Sequence, residues 1–210
     1  MRKSTECKKC RRTGVKLFLK GEKCESQKCP MIKKPYPPGQ KPKRRKGHLS
    51  QYGKELIEKQ KLRYWYDLQE RQFVRYVTAV INSQRETESA GDQLLRRLEE
   101  RLDNMVYRSG FSSSRSQARQ MVNHGFFLVN GKPVDRPSYR IKTGDVISVR
   151  PGKTKKVSFE NFSERMKNFV SPSWISLDTE NLTAKVTGNA VIEEIAPPVE
   201  ISSIFEFYSR

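Results

Sequence analysis

All four cysteines of this 210-residue chain fall in its first 29 residues, as Cys7, Cys10, Cys24 and Cys29 in the spacing C-x2-C-x13-C-x4-C. Two close pairs joined by a short loop are what a tetrahedral metal needs: each pair makes a tight turn, and the loop folds one turn against the other. Four thiolates leave no open coordination position, so the expected occupant is one structural Zn²⁺. Neither His48 nor His124 is placed to complete an open, catalytic site. Two disulfides are the alternative, but the segment after Met1 is basic and lacks an apolar h-region, so nothing points to secretion. Between the pairs, GVKLFLKGEK sets Val15, Leu17 and Leu19 in alternation between Gly14 and Gly21, which predicts a short hairpin.

Charge indicates what such a knuckle serves. The chain carries 42 Lys and Arg against 23 Asp and Glu, a formal charge of +19. Residues 1–63 hold 21 basic and 5 acidic residues, 64–150 hold 14 and 10, and 151–210 hold 7 and 8. An N-terminal surplus of this size repels itself unless a polyanion neutralises it. Nucleic acid fits, because phosphate neutralisation releases counterions and dominates affinity. An anionic membrane is the competitor, yet no apolar run reaches spanning length and no lipid-facing stripe accompanies the basic segment.

The stretch PMIKKPYPPGQKPKRRKG (residues 30–47) has five prolines and few groups able to form a core. It is expected to be extended in isolation and to order on its polyanion. Lys43, Arg44, Arg45 and Lys46 form a run suited to phosphate, with a solvated or localisation-type tail as the alternative; Tyr36 could stack on a base or pack against the knuckle. From Leu49 the pattern turns helical. Leu62, Trp65, Tyr66, Phe73, Tyr76, Val77 and Val80 recur at three- and four-residue steps, with Lys61, Arg63, Arg71 and Arg75 on other faces. After a polar break from Asn82 to Gly91, Leu94, Leu95, Leu98, Leu102, Met105 and Val106 form a second buried stripe. Helices are therefore expected over 49–80 and 91–107.

Residues 99–150 form a denser unit. Gly110 ends a helix, and Ser114 with Gln117 three residues on is a capping-box pattern opening a helix from Arg115 to Val122, ended at Gly125. Phe127 to Val129 reads as a strand, Asn130-Gly131 as a type I′ turn with Val134 on the return, and Val146 to Val149 as a last strand after Thr143-Gly144-Asp145. Two helices on a small bent sheet result. Arg108, Arg115, Arg119, Lys132 and Arg136 would decorate one edge. Arg115 and Arg119, four apart, share a helix face expected to be exposed, opposite Ala118, Met121 and Val122, and can straddle phosphates.

RLDNMVYRSGF followed by SRSQARQMVNHGFFLVNGKPV resembles the S-four RNA-binding module. With LFLKGEKC, PYPPGQ, SQYGKELIEKQKLRYWY, LQERQFVRYV, PSW and the terminal FEFYSR, the chain resembles the family of the fourth protein of the small ribosomal subunit nearly end to end. The resemblance implies a non-enzymatic primary binder of small-subunit rRNA, gripping a multi-helix junction near the 5′ end and nucleating assembly. It also implies contact with the fifth small-subunit protein, a place near the mRNA path with influence on decoding accuracy, and in some relatives repression of their own messenger. A cytoplasmic, ribosomal, bacterial setting follows, with no membrane and no homo-oligomer. Where the family commonly has His-Gly after PPGQ, this chain has Lys41-Pro42-Lys43, and residues 178–200 match only loosely.

The expected fold is α+β: a zinc-knuckled basic arm (1–48), a helical body (49–98 with 151–210) on which the terminal FEFYSR segment packs back, and an inserted RNA-binding module (99–150). Two other classes use similar parts. A tRNA- or rRNA-modifying enzyme or a synthetase would need a catalytic domain, and residues 151–210 offer Glu160, Glu164 and Asp178 but no His, Cys or glycine-rich loop. A zinc-finger DNA regulator would place a recognition helix after the knuckle, where a proline-rich basic stretch stands instead.

Overall fold

The structure is a computed structural model that describes residues 6–39, 48–83, 89–153, 166 and 169–209. Its contacts divide it into two units, Met1–Gly91 with Pro197–Arg210, and Asp92–Ala196.

The first unit opens with helix α1 (Glu6–Thr13), whose Glu6 and terminal Arg11 and Arg12 complement the helix dipole. Gly14, at φ +76°, ends it, its N–H bonding the Cys10 carbonyl at 2.9 Å. Two single turns follow, α2 (Glu22–Glu25) and α3 (Pro30–Lys33), the latter with proline at its first position, where a missing N–H costs nothing. The hairpin expected between the cysteine pairs is not formed. Leu17 is buried, but Phe18 sits at φ +50° and the segment bends into turns. The N–H groups of Leu17 and Lys20, which strand pairing would have used, donate to the sulfurs of Cys10 and Cys24.

The helix expected over 49–80 is two helices, α4 (Gln51–Trp65) and α5 (Glu70–Ile81). The Ser50 hydroxyl caps α4, accepting the Gly53 N–H at 3.2 Å. The break falls at Asp67, in the left-handed region at φ +52°, a conformation that Asp tolerates better than most residues. Leu62, Phe73, Val77 and Val80 fill the core, and the C-terminal helix Ser202–Tyr208 packs on α4 with Ile204 inward. A polar clamp secures that helix. Lys59, 5% exposed, bonds Glu70 at 2.6 Å and lies 4.4 Å from the Phe207 ring, while the Tyr208 hydroxyl donates to Glu70 at 3.1 Å. Burial pushes the Glu70 carboxyl up, but the hydrogen bond and charge of Lys59, the Tyr208 hydroxyl and Arg63 leave it below the usual carboxylate value. The Tyr208 phenol is raised, by burial first and then by the charge of Glu70.

In the second unit the helix expected over 91–107 is also interrupted, as α6 (Ala90–Glu99) and α7 (Leu102–Arg108). Arg101 is extended and bridges Arg140; the Leu102 N–H donates to the Tyr139 carbonyl and the Ile141 N–H to the Glu100 carbonyl, at 2.9 and 2.8 Å. Tertiary partners thus replace two helical bonds. Helix α8 (Arg115–Asn123) is capped by Ser114, whose hydroxyl accepts the Gln117 N–H at 3.3 Å; Gln117 reaches back to the N–H of Ser113.

Strands β1 (Phe127–Val129), β2 (Lys132–Pro133), β3 (Val146–Val149), β4 (Ile175–Asp178) and β5 (Thr183–Val186) form one antiparallel sheet in the order β2-β1-β3-β5-β4. Asn130 and Gly131, at φ +50° and +77°, make the expected primed turn. The Asn130 amide ties it across the sheet, accepting the Val146 N–H at 2.9 Å and donating to Asp145 at 2.8 Å. Phe127, Ile147, Ala184, Leu102, Val106, Phe111 and Val122 are fully buried. Residues 175–186, grouped with the helical body in the sequence reading, instead extend the module's own sheet; Ser202–Tyr208 packs on α4, as expected for the terminal segment.

Candidate nucleic-acid interface and cysteine cluster

The basic face of the second unit is built on two carboxylates. Glu99, at the end of α6, is 0% exposed and grips Arg108 bidentately, Nε to Oε2 at 3.0 Å and Nη2 to Oε1 at 2.9 Å. Asp103, in the first turn of α7, accepts Arg101 Nε at 3.0 Å and Nη2 at 2.6 Å, and lies 3.7 Å from Arg119 Nη1. Between them Asn104, also buried, donates from Nδ2 to Glu99 and accepts from Arg115 Nε at 2.8 Å. The Arg115 guanidinium lies 4.4 Å from the Tyr107 ring centre, within cation–π range. Arg108, Arg115 and Arg119 are thus partly exposed and held on Glu99, Asn104 and Asp103, leaving a positive face suited to phosphate, while Arg101 is buried against Asp103.

This corrects one expectation: Arg115 and Arg119 are half-buried and held from beneath, not freely exposed on α8. The reason lies in α7, whose polar first turn faces them. Sequence reasoning passed over Arg101, Glu99, Asp103 and Asn104, because acids beside arginines read as solvated surface charge. The helix break after Glu99, which turns these residues inward, has no sequence cue of its own.

The remaining candidates are dispersed. Lys132 and Arg136 are exposed on and beyond β2. In the first unit, Arg71 is exposed on α5. Lys61 is half-buried and paired with Glu58, and Arg63 is half-buried beside Glu70 at 3.3 Å and stacked on Tyr64. Lys43, Arg44, Arg45 and Lys46 lie outside the described residues. Tyr36 packs against α1: Arg11 Nε donates to its carbonyl at 2.8 Å, with the guanidinium 5.0 Å from its ring centre. Residues 30–39, expected to be extended, are therefore anchored from α1.

Cys7, Cys10, Cys24 and Cys29 line one small cavity with Lys16, Leu19 and Pro30. Cys7 and Cys10, three apart on α1, share its face; Cys10, Cys24 and Cys29 are buried and no cysteine is in a disulfide. Among the described residues, no three His, Cys, Asp or Glu side chains stand in a metal-holding arrangement. The four sulfurs lining this cavity are nonetheless thiophilic donors by type. Backbone N–H groups from Leu17 and Lys20 point at two of the sulfurs, as around a bound thiolate. Burial first, then neighbouring cysteines, raises the Cys10 thiol, and burial raises Cys24, an effect that a cation among them would reverse. Among the described residues no helix is long and apolar enough to cross a membrane.

The arginine-bearing α7–α8 hairpin on its sheet defines a class, the S4 domain, whose family pattern matches residues 100–147; the N-terminal domain of ribosomal proteins S4/S9 matches residues 1–99. The chain is 45% identical to small ribosomal subunit protein uS4 of Caldicellulosiruptor saccharolyticus over 98% of this chain and 97% of that one. It is 46% identical to uS4 of Natranaerobius thermophilus over 97% and 96%, and 45% identical to that of Acidithiobacillus ferrooxidans over the same shares. The chain belongs to the uS4 family of small-ribosomal-subunit proteins.

Proposed function

We propose that this chain is a structural, non-enzymatic constituent of the small ribosomal subunit in the bacterial cytoplasm, and that it works by binding small-subunit rRNA. The arginine cluster of α7 and α8 carries this reading, because it presents guanidinium groups in fixed array, and the similar uS4 chains are small-ribosomal-subunit proteins. Bases inside an A-form helix are hard to reach, so folded RNA is read mainly by shape and phosphate position, which a fixed array suits. The RNA is a multi-helix junction near the 5′ end, bound early so that it nucleates assembly. The fifth small-subunit protein is the expected protein neighbour, and a position beside the mRNA path would connect the chain to decoding accuracy. Arg115→Ala and Arg119→Ala test the array. Each should weaken binding to transcribed small-subunit rRNA and lower the salt dependence by about one phosphate contact. Unchanged affinity and slope in both would place the RNA elsewhere.

One Zn²⁺ held by Cys7, Cys10, Cys24 and Cys29 completes the proposal, supported by the four thiols on one cavity and the N–H groups aimed at two of them. Its contribution is structural: it joins α1 to the turns bearing Cys24 and Cys29. Metal analysis of freshly purified protein should find one zinc per chain, with all four thiols alkylated only after chelation; two disulfides and no metal would overturn the assignment.

A further inference from the structure

Glu99 is an anomaly for a polyanion-binding face. Burying a carboxylate is costly unless it is well paired. A negative charge here also opposes RNA. Yet Glu99 is fully buried at the base of the arginine cluster, where it does two things. Its two oxygens fix both donors of one edge of Arg108, and Oε2 also accepts the Asn104 amide.

The second contact has a directional consequence. An ionised carboxylate only accepts hydrogen bonds, so it faces the NH₂ end of the amide. The carbonyl end then faces Arg115 Nε, a donor, at 2.8 Å. Both neighbours dictate the same amide orientation, which chemistry therefore assigns without ambiguity. The Asn104 backbone is anchored too, its N–H donating to Asp103 Oδ1 at 2.9 Å. A chain of polar contacts thus runs from the end of α6, through the first turn of α7, to the first residue of α8, where Arg115 is fixed at Nε and across its face by Tyr107.

We propose that Glu99 and Asn104 are positioning residues for RNA recognition: the buried carboxylate sets the Asn104 amide, and the amide aims Arg115. The inference rests on the reading of Arg115 as an RNA contact, and it inverts a simple electrostatic expectation. Removing an acid next to a polyanion site should tighten binding; removing this one should weaken it. Glu100 supplies a control of the same charge one residue away. Its carboxylate pairs with the exposed Arg140.

The experiment uses the full chain with a transcript of the small-subunit rRNA 5′ region and, in parallel, an unrelated RNA duplex. Near-UV circular dichroism and thermal melts establish that each variant is folded at the binding temperature. Arg115→Ala should weaken transcript binding, and Asn104→Ala should weaken it comparably, by up to about tenfold. The double variant should bind no more than about twofold worse than Arg115→Ala alone, since Asn104 acts through that side chain. Glu99→Gln should weaken transcript binding while leaving duplex binding equal or tighter; Glu100→Gln should weaken neither. If Arg115→Ala weakens binding but Asn104→Ala and Glu99→Gln do not, the positioning role is wrong and the RNA contact stands. Fully multiplicative losses in the double variant would likewise overturn it, showing that Asn104 acts through general stability. No effect of Arg115→Ala would remove the RNA contact itself, and the inference with it.

Discussion

Tyr208 and Glu70 show how single residues set the pH range over which a helix stays docked. The Glu70 carboxyl is held below its usual value of 4.5, so its contribution is present above that value and is lost as pH falls through the lowered one. The Tyr208 phenol is raised above 10.0, so its contribution is complete below pH 10.0 and is lost as pH rises toward the raised value. Docking of Ser202–Tyr208 should therefore be strongest between those limits. Tyr208→Phe keeps the ring packed near Phe73 and Phe207 but removes the hydroxyl bonded to Glu70. It should cost about 0.5–1.5 kcal/mol at neutral pH and flatten the alkaline limb attributable to this phenol. Melting temperature followed from pH 3 to 11 in both proteins checks this; an alkaline limb identical in the two would refute it. The return of the terminal segment to the body was legible in the chain, but the polar contacts that hold it were not. Lys59, Glu70 and Tyr208 lie far apart in sequence, and Lys59 has the composition of a solvated residue.

At the scale of elements, the β1–β2 turn rests on one amide. Asn130 adopts φ +50°, which most side chains resist, and its amide also makes both cross-sheet bonds to the start of β3. Asn130→Ala should therefore destabilise the second unit by about 1–3 kcal/mol, through backbone strain and a lost acceptor together. Urea unfolding followed by a probe in that unit, Trp174, would register the change; a shift below about 0.3 kcal/mol would mean the turn is held by strand pairing alone. This hairpin was readable because Asn-Gly between apolar runs has one dominant solution. Strands β4 and β5 were not, since residues 179–182 between them carry no Gly or Pro turn signal of the kind that brackets β1 and β3. The breaks within the two longer helical patterns escaped for another reason. Apolar spacing continues across Asp67 and Arg101, and only tertiary partners, such as the Tyr139 carbonyl for Leu102, make leaving the helix favourable. Arg108, Arg115 and Arg119 stand out in the sequence as candidates; Arg101 and the acidic residues beneath them do not, because Glu99 is buried only once α6 ends where it does.

At the scale of the whole molecule, the first unit is completed from a distant part of the chain: Pro197–Arg210 packs with residues up to Gly91, and Asp92–Ala196 lies between them in sequence. Deleting residues 197–210 should strip Ile204 and both terminal rings from α4 and unfold that unit selectively. The second unit, with its own sheet and core, should keep a cooperative transition. Circular dichroism with limited proteolysis would resolve the two, and concerted loss of both units would contradict the division. The same arrangement imposes an order during synthesis. The intervening stretch of 105 residues takes on the order of 5–20 s to translate, and throughout that interval α4 has emerged without the helix that covers it. The later-made unit thus has all its strands and helices before the earlier-made one can finish, and the chain matures from its middle outward. For that interval the unit that includes the most basic part of the sequence lacks its last helix.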